Sequence, residues 1–210
     1  MMSLANRSQT LAAFIQGLPG FIVKPVVIRC HMGAICVDAL LQAGVNFDGV
    51  NNRVDLMLKT PQAETTTGLL AFISELEGRS ESLNSFLLWD GRKPQWVREF
   101  VIFLYRESVE TVSDLKAWLE KPENPPRLFG LKGFGNKTVD YLKGLAGISS
   151  IAIDRHWYGC LDEAKVPYTD YVEARAIAEG AARIMGVERS DLDASLWAWW
   201  RRNRRGSSCS

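Results

Sequence analysis

The chain has 210 residues, of which 47% are hydrophobic and 23% charged. That balance is enough for one full core or two small ones and excludes long disorder as the main character. Lys and Arg number 25 against 24 for Asp and Glu, a net charge of +1, so the chain is no polycation and any strongly charged surface is a local patch. No run of about 18 apolar residues is present, and none is expected to span a membrane. Residues 11–23 contain Gln16, Gly17, Pro19 and Gly20 and follow no basic region, which argues against a secretory signal. The cysteines, Cys30, Cys36, Cys160 and Cys209, form no CxxC pair and no zinc-finger spacing. They read as free thiols of a reducing compartment. With only His31 and His156, a His-rich metal site is not expected.

The pattern is mainly helical. Residues 21–28 (FIVKPVVI) are β-branched and interrupted by Pro25, and read as a short strand or an extended buried segment. Helices are expected over 34–43 and 66–77. After Pro94, Trp96, Phe100 and Leu104 recur at four-residue spacing with Val97, Val101 and Tyr105 beside them, a wide apolar helix face. Residues 113–120 form a helix capped by Ser113 and stopped before Pro122. The run PENPP at 122–126 reads as a stiff loop and the best candidate for a hinge or subdomain boundary. A helix over 169–185 opens at Thr169 or Asp170, aligns Ala174, Ala178, Ala181 and Met185, and ends at Gly186. Another over 190–202 opens at Ser190 and buries Leu192, Leu196 and Trp199 or Trp200. The tail 206–210 is expected to fray.

The stretch 128–157 carries the chemistry. Gly133 and Gly135 flank Phe134, so the turn has access to backbone conformations closed to other residues. Leu131 before it and Val139, Leu142, Leu145 and Ala146 after it predict two helices joined by a tight hairpin. The unpaired amides at the start of the second helix suit a phosphate. Lys137 falls in the first turn of that helix, where the helix field disfavours an ammonium; a cation misplaced by local rules is a candidate functional group. It reads as an amine nucleophile or as a surface lysine that contacts phosphate. Asp154 follows an apolar IAI run and is a helix N-cap by type. An amine and a carboxylate on one cleft would suffice to cut a C–N glycosidic bond, the carboxylate stabilising a developing sugar cation and the amine attacking the anomeric carbon. Between 127 and 156, Arg127, Lys132, Lys137, Lys143 and Arg155 stand against Asp140 and Asp154, and the last helix ends in RRNRR at 201–205. Two basic patches on a near-neutral chain fit phosphate binding.

The run L-x-G-x-G-x-K-T at 131–138, followed by A-I-D-x-H at 152–156, resembles the helix-hairpin-helix–GPD superfamily of DNA glycosylases, including its endonuclease III-like and 8-oxoguanine glycosylase-like members. The match is specific over about 30 residues; weaker likenesses to an early helix at 39–54 and a closing helix at 191–200 extend it. The resemblance implies a mostly α, two-lobed helical DNA-glycosylase fold with a helix-hairpin-helix motif. Residues of about 30–126 would form mainly one lobe, 127–150 the hairpin motif, and the N-terminal segment with 151–205 mainly the other. It further implies that Lys137 is a Schiff-base nucleophile and Asp154 the essential carboxylate. Leu131, Lys132, Gly133, Phe134, Gly135, Asn136, Arg155 and His156 would contact DNA, and a monovalent cation would sit at the hairpin carbonyls. The cluster cysteines of the endonuclease III branch are missing, so no iron–sulfur cofactor is expected. The family's early-helix glutamine aligns with Gly44, with Gln42 and Asn46 nearby; these two, with Trp89 and Trp197, are the candidates for base pocket or wedge.

The function implied is base-excision repair of a damaged base, 8-oxoguanine first, with abasic-site lyase activity. The expected partner is lesion-bearing double-stranded DNA, bound by a monomer in the cytoplasm, at the nucleoid in a bacterium. The alternatives are a hydrolytic glycosylase for mismatched or alkylated bases, a non-catalytic hairpin module that binds DNA, and a helical protein–protein scaffold.

Overall fold

The computed structural model describes residues 2–42 and 47–204. Among them there is no β-strand, and the chain is built from α-helices and two 3-10 turns. Two compact units emerge. One consists of residues 28–148; the other joins the residues up to Val27 to those from Ser149 onward.

The continuous unit contains α2 (Met32–Leu41), α3 (Phe47–Leu58), α4 (Thr66–Gly78), the short α5 (Leu83–Phe86), α6 (Lys93–Arg106), α7 (Val112–Glu120) and α8 (Asn136–Leu145). Every residue of α2 is buried, so α2 is the axis around which α3, α4, α6 and α8 pack. Phe100 and Leu104 of α6 and Val139 and Leu142 of α8 belong to its core. The discontinuous unit contains α1 (Leu4–Gln16), α9 (Arg155–Glu163), α10 (Tyr171–Met185) and α11 (Arg189–Arg204). Leu11 and Ile15 of α1 pack there with Trp157, Ile177, Leu192 and Leu196. The alanine face of α10 is used for a close crossing: a Cβ at Gly180 would lie 2.2 Å from Ser8 Oγ, and that hydroxyl donates to the Ile177 carbonyl at 3.1 Å.

Several expectations need correction. Residues 21–28 form no strand and are not buried; Ile22, Val27 and Ile28 are exposed, and the segment is held by polar bonds from Lys24 N–H to Ser195 Oγ and from Val26 N–H to Asp191. The cap of α7 is Thr111, not Ser113. Asp114 accepts from the Thr111 amide while Thr111 Oγ1 accepts from the Asp114 amide, a reciprocal box that Ser113, inside the first turn, cannot make. Likewise Ser190 lies within α11, which starts at Arg189. Tyr105 is exposed rather than on the buried face of α6. Residues 122–126 lie inside the continuous unit, with Pro125 opening a 3-10 helix (Pro125–Gly130) where an α-helix was expected before the hairpin. Asn124 locks this loop by donating to the Trp118 carbonyl at 2.9 Å.

Candidate active site

In the continuous unit the hairpin runs from the 3-10 helix into α8. Gly133 has φ +87°, and a Cβ there would come within 2.9 Å of Leu40 and of Trp96, so both conformation and packing require glycine. Gly135 differs: its φ is −133°, extended backbone open to any residue, and a Cβ would meet nothing within 4 Å. Phe134 is buried, its ring 4.7 Å from that of Phe100, and Leu131 packs against the same core. These two side chains anchor the turn, and Phe134 leaves only its backbone available to a ligand. Lys132, Gly135 and Asn136 are exposed. Gly135 is the N-cap of α8 and offers no side-chain acceptor, so the first-turn amides lack a cap. Half-buried Lys137 stands in that first turn.

Lys137 and Tyr141 lie four residues apart and share one face of α8. Tyr141 ties this face to α2: its hydroxyl donates to Asp38 Oδ1 at 3.0 Å and accepts from Gln42 Nε2 at 2.9 Å. Gln42 also donates to Asp38 Oδ1 at 2.8 Å, and Arg29 pairs with Asp38 Oδ2 at 2.9 Å. Burial pushes the Asp38 carboxyl up, against the lowering effect of Gln42, Arg29 and Tyr141. At Leu41, the last residue of α2, the carbonyl accepts from Lys93 Nζ at 2.9 Å. Burial first, and the charge of Lys137 second, hold the Lys93 ammonium below the ordinary lysine range. The ring of Trp89 has Lys93 and Arg53 at 5.5 and 5.7 Å from its centroid. Gln42 and Trp89 are thus brought to the same unit as Lys137, whereas Asn46 and Gly44 lie outside the described residues.

Leu88 is a residue the sequence reading missed. It is 73% exposed although apolar and holds φ +47°, rare for a branched side chain. Arg53 clamps the Leu87 and Leu88 carbonyls, and Asn84 those of Trp89 and Gly91. Its sequence signal is the apolar pair before the polar turn DGRK.

In the discontinuous unit, Asp154 caps α9. Its Oδ1 accepts from the His156 amide at 2.8 Å and the Trp157 amide at 3.3 Å, and Oδ2 takes no part in the cap. The preceding Ile151, Ala152 and Ile153 are buried. Arg155 is exposed, and the His156 ring lies 6.2 Å from that of Trp200. Trp197 is half-buried with Arg201 over its ring at 5.4 Å.

The basic residues divide. Arg127 is neutralised by Glu107 and lies over Phe103 and Trp118, and Lys143 pairs with Asp140 at 3.7 Å. Lys132, Lys137 and Arg155 make no ion pair among the described residues. Of 201–205, Arg202 is exposed and Arg205 lies outside the described residues. No group of three or more His, Cys, Asp or Glu side chains stands together as a metal site among the described residues. Cys30, Cys36 and Cys160 form no disulfide, and burial pushes the Cys36 thiol up to about 12.

No family model matches the chain, and no curated protein matches it. One solved structure does. The 3-methyladenine DNA glycosylase MagIII of H. pylori, crystallised with 1,N6-ethenoadenine, aligns with a TM-score of 0.62 over 97% of this chain and 99% of its own. The chain has the fold of that glycosylase. At 10% sequence identity the likeness is one of backbone, and residue roles on this glycosylase fold rest on the chain's own side chains.

Proposed function

We propose that the protein is a DNA glycosylase that excises a damaged base from duplex DNA by lysine chemistry. The observation that carries this reading is Lys137, half-buried in the first turn of an uncapped helix that follows a glycine-dependent turn, on a glycosylase fold. The amides of Gly135 and Asn136 and the exposed Lys132 hold a backbone phosphate, and the hairpin carbonyls would hold a monovalent cation that adds positive charge beside it. Arg155 and His156 contact the backbone as well. The damaged nucleotide is flipped out at a cost of a few kcal/mol, lower where the pair is already weak. Leu88 fills the gap, as apolar wedges do in other DNA benders. The amine of Lys137 then attacks C1′. The C1′–N bond breaks, Asp154 stabilises the sugar cation, and the base leaves with a proton. The sugar ring then opens: the C1′–O4′ bond breaks, O4′ takes the second amine proton and the C1′=Nζ imine forms, which can lose a C2′ proton and the 3′ phosphate by elimination. Gln42 and Trp89 are the pocket candidates in the unit that carries Lys137.

The substrate proposed first is 8-oxoguanine. A second reading, hydrolytic release of an alkylated base, is favoured by the base bound in the structurally similar enzyme. Borohydride trapping decides between them on duplexes carrying 8-oxoguanine, 1,N6-ethenoadenine, uracil or a bare abasic site. A covalent adduct is expected with the wild-type protein and none with Lys137→Gln, which should still bind DNA. Base release without any adduct would transfer the assignment to the hydrolytic reading. An adduct retained by Lys137→Gln would refute the lysine.

A further inference from the structure

Asp193 of α11 is drawn into neither the sequence motifs nor the mechanism above, yet it brackets Asp154. Its Oδ2 accepts from the Ala152 amide at 3.2 Å, two residues before Asp154. Its Oδ1 accepts from the indole Nε1–H of Trp157, three residues after. The Trp157 amide in turn donates to Asp154 Oδ1 at 3.3 Å. One carboxylate therefore binds the chain on both sides of the other.

The physical need is plain. Residues 151–153 are buried, with exposures of 0%, 5% and 2%, but pair with no strand. A buried amide in such a segment needs an acceptor from elsewhere, and Asp193 supplies it to Ala152. Trp157 is 1% exposed, so its indole N–H needs a partner too, and Asp193 is that partner. Asp154 itself is an N-cap with φ −125° and ψ −173°. Its backbone is set by where the extended segment ends and α9 begins, and Asp193 fixes both.

We propose that Asp193 is a positioning residue for the Asp154 carboxylate. This rests on the glycosylase reading, in which Asp154 serves base release. Removing Asp193 leaves Lys137 and the hairpin in place but lets the 152–157 backbone, and Asp154 with it, shift, and a displacement of about 1 Å can cost roughly 100-fold in rate.

The test compares two reactions of the same protein. Single-turnover release of the damaged base depends on both carboxylates; trapping at a pre-formed abasic site bypasses base release and reports on Lys137. Asp193→Ala is expected to slow base release about 10- to 100-fold and to change abasic trapping by less than about threefold, with duplex affinity, held mainly by the hairpin, lowered by no more than that. Asp193→Asn can accept from only one of the two donors and should fall between. Trp157→Phe keeps the buried ring, deletes one bond, and should show a smaller loss in base release alone. This variant decides the matter should Asp193→Ala not fold. Wild-type base release in the folded variants, or equal losses in both reactions, would overturn the proposal. Absence of base release by the wild-type protein would instead overturn the glycosylase reading on which it rests.

Discussion

Leu88 combines two costs that a sequence without a use for it would avoid. Its side chain is 73% exposed, and its φ of +47° is one that a γ-branched residue disfavours by about 1 kcal/mol or more relative to glycine. Leu88→Gly removes both. Stability, read by urea titration, is expected to stay within about 1 kcal/mol of wild type, because relief of strain offsets the greater freedom of glycine in the unfolded chain. Excision of a base from an intact pair should fall about tenfold or more, while reaction with an abasic site, which has no base to flip, should stay within about twofold. Unchanged excision from the intact pair would remove Leu88 from the mechanism. At this scale the sequence was legible where local geometry alone decides. Gly133 had to be glycine, and its φ of +87° agrees. Gly135 carries no such requirement, and Phe134 is a core ring, because facing side chains from α2 and α6 decide what the turn buries.

At the level of elements, the start of α9 separates structure from chemistry. Asn caps a helix about as well as Asp, and Ala does not. Asp154→Asn should therefore match the wild type in chemical denaturation to within about 0.5 kcal/mol, whereas Asp154→Ala should cost about 1 kcal/mol. Both should lose base release. A fully active Asp154→Asn variant would leave Asp154 as a cap alone. Helices with a strong one-sided pattern, α6 and α10, were readable from spacing, and the alanines of α10 are buried as that spacing implies. Missed or misplaced features depended on partners distant in sequence. Nothing within residues 4–16 announces that α1 fits the groove beside Gly180, a residue more than 160 positions away. The polar set Asp38, Gln42 and Tyr141 was invisible for the same reason, since its members come from two helices.

Across the whole molecule, acid should act unevenly. Hydrogen bonds from Arg7 and then Thr169 hold the Glu173 carboxyl down at about 2, well below the usual 4.5. A depressed carboxylate adds stability above its unfolded value, and that contribution is lost as pH falls from about 4.5 toward 2. Arg7 to Glu173 is an ion pair of 2.7 Å joining α1 to α10. Amides of α1 should therefore exchange faster near pH 3 than at pH 7 after correction for intrinsic rates. Glu173→Gln should exchange fast at both, and equal protection of α1 at the two pH values would show the pair to be incidental. Asp38 works in the opposite sense: burial raises its carboxyl, so its contribution favours the folded state at low pH and fades as pH rises.

The discontinuous unit also sets an order of events during synthesis. Residues 28–148 emerge as one uninterrupted run and can collapse as soon as they are made. The helix α1 precedes that run yet packs against α10, which begins at Tyr171, so its apolar stripe of Leu11, Ala12 and Ile15 waits without a mate while the whole run is made. An early-made helix thus settles only after the run that follows it, and a ribosome stalled before Tyr171 would display that stripe to whatever holdase is at hand.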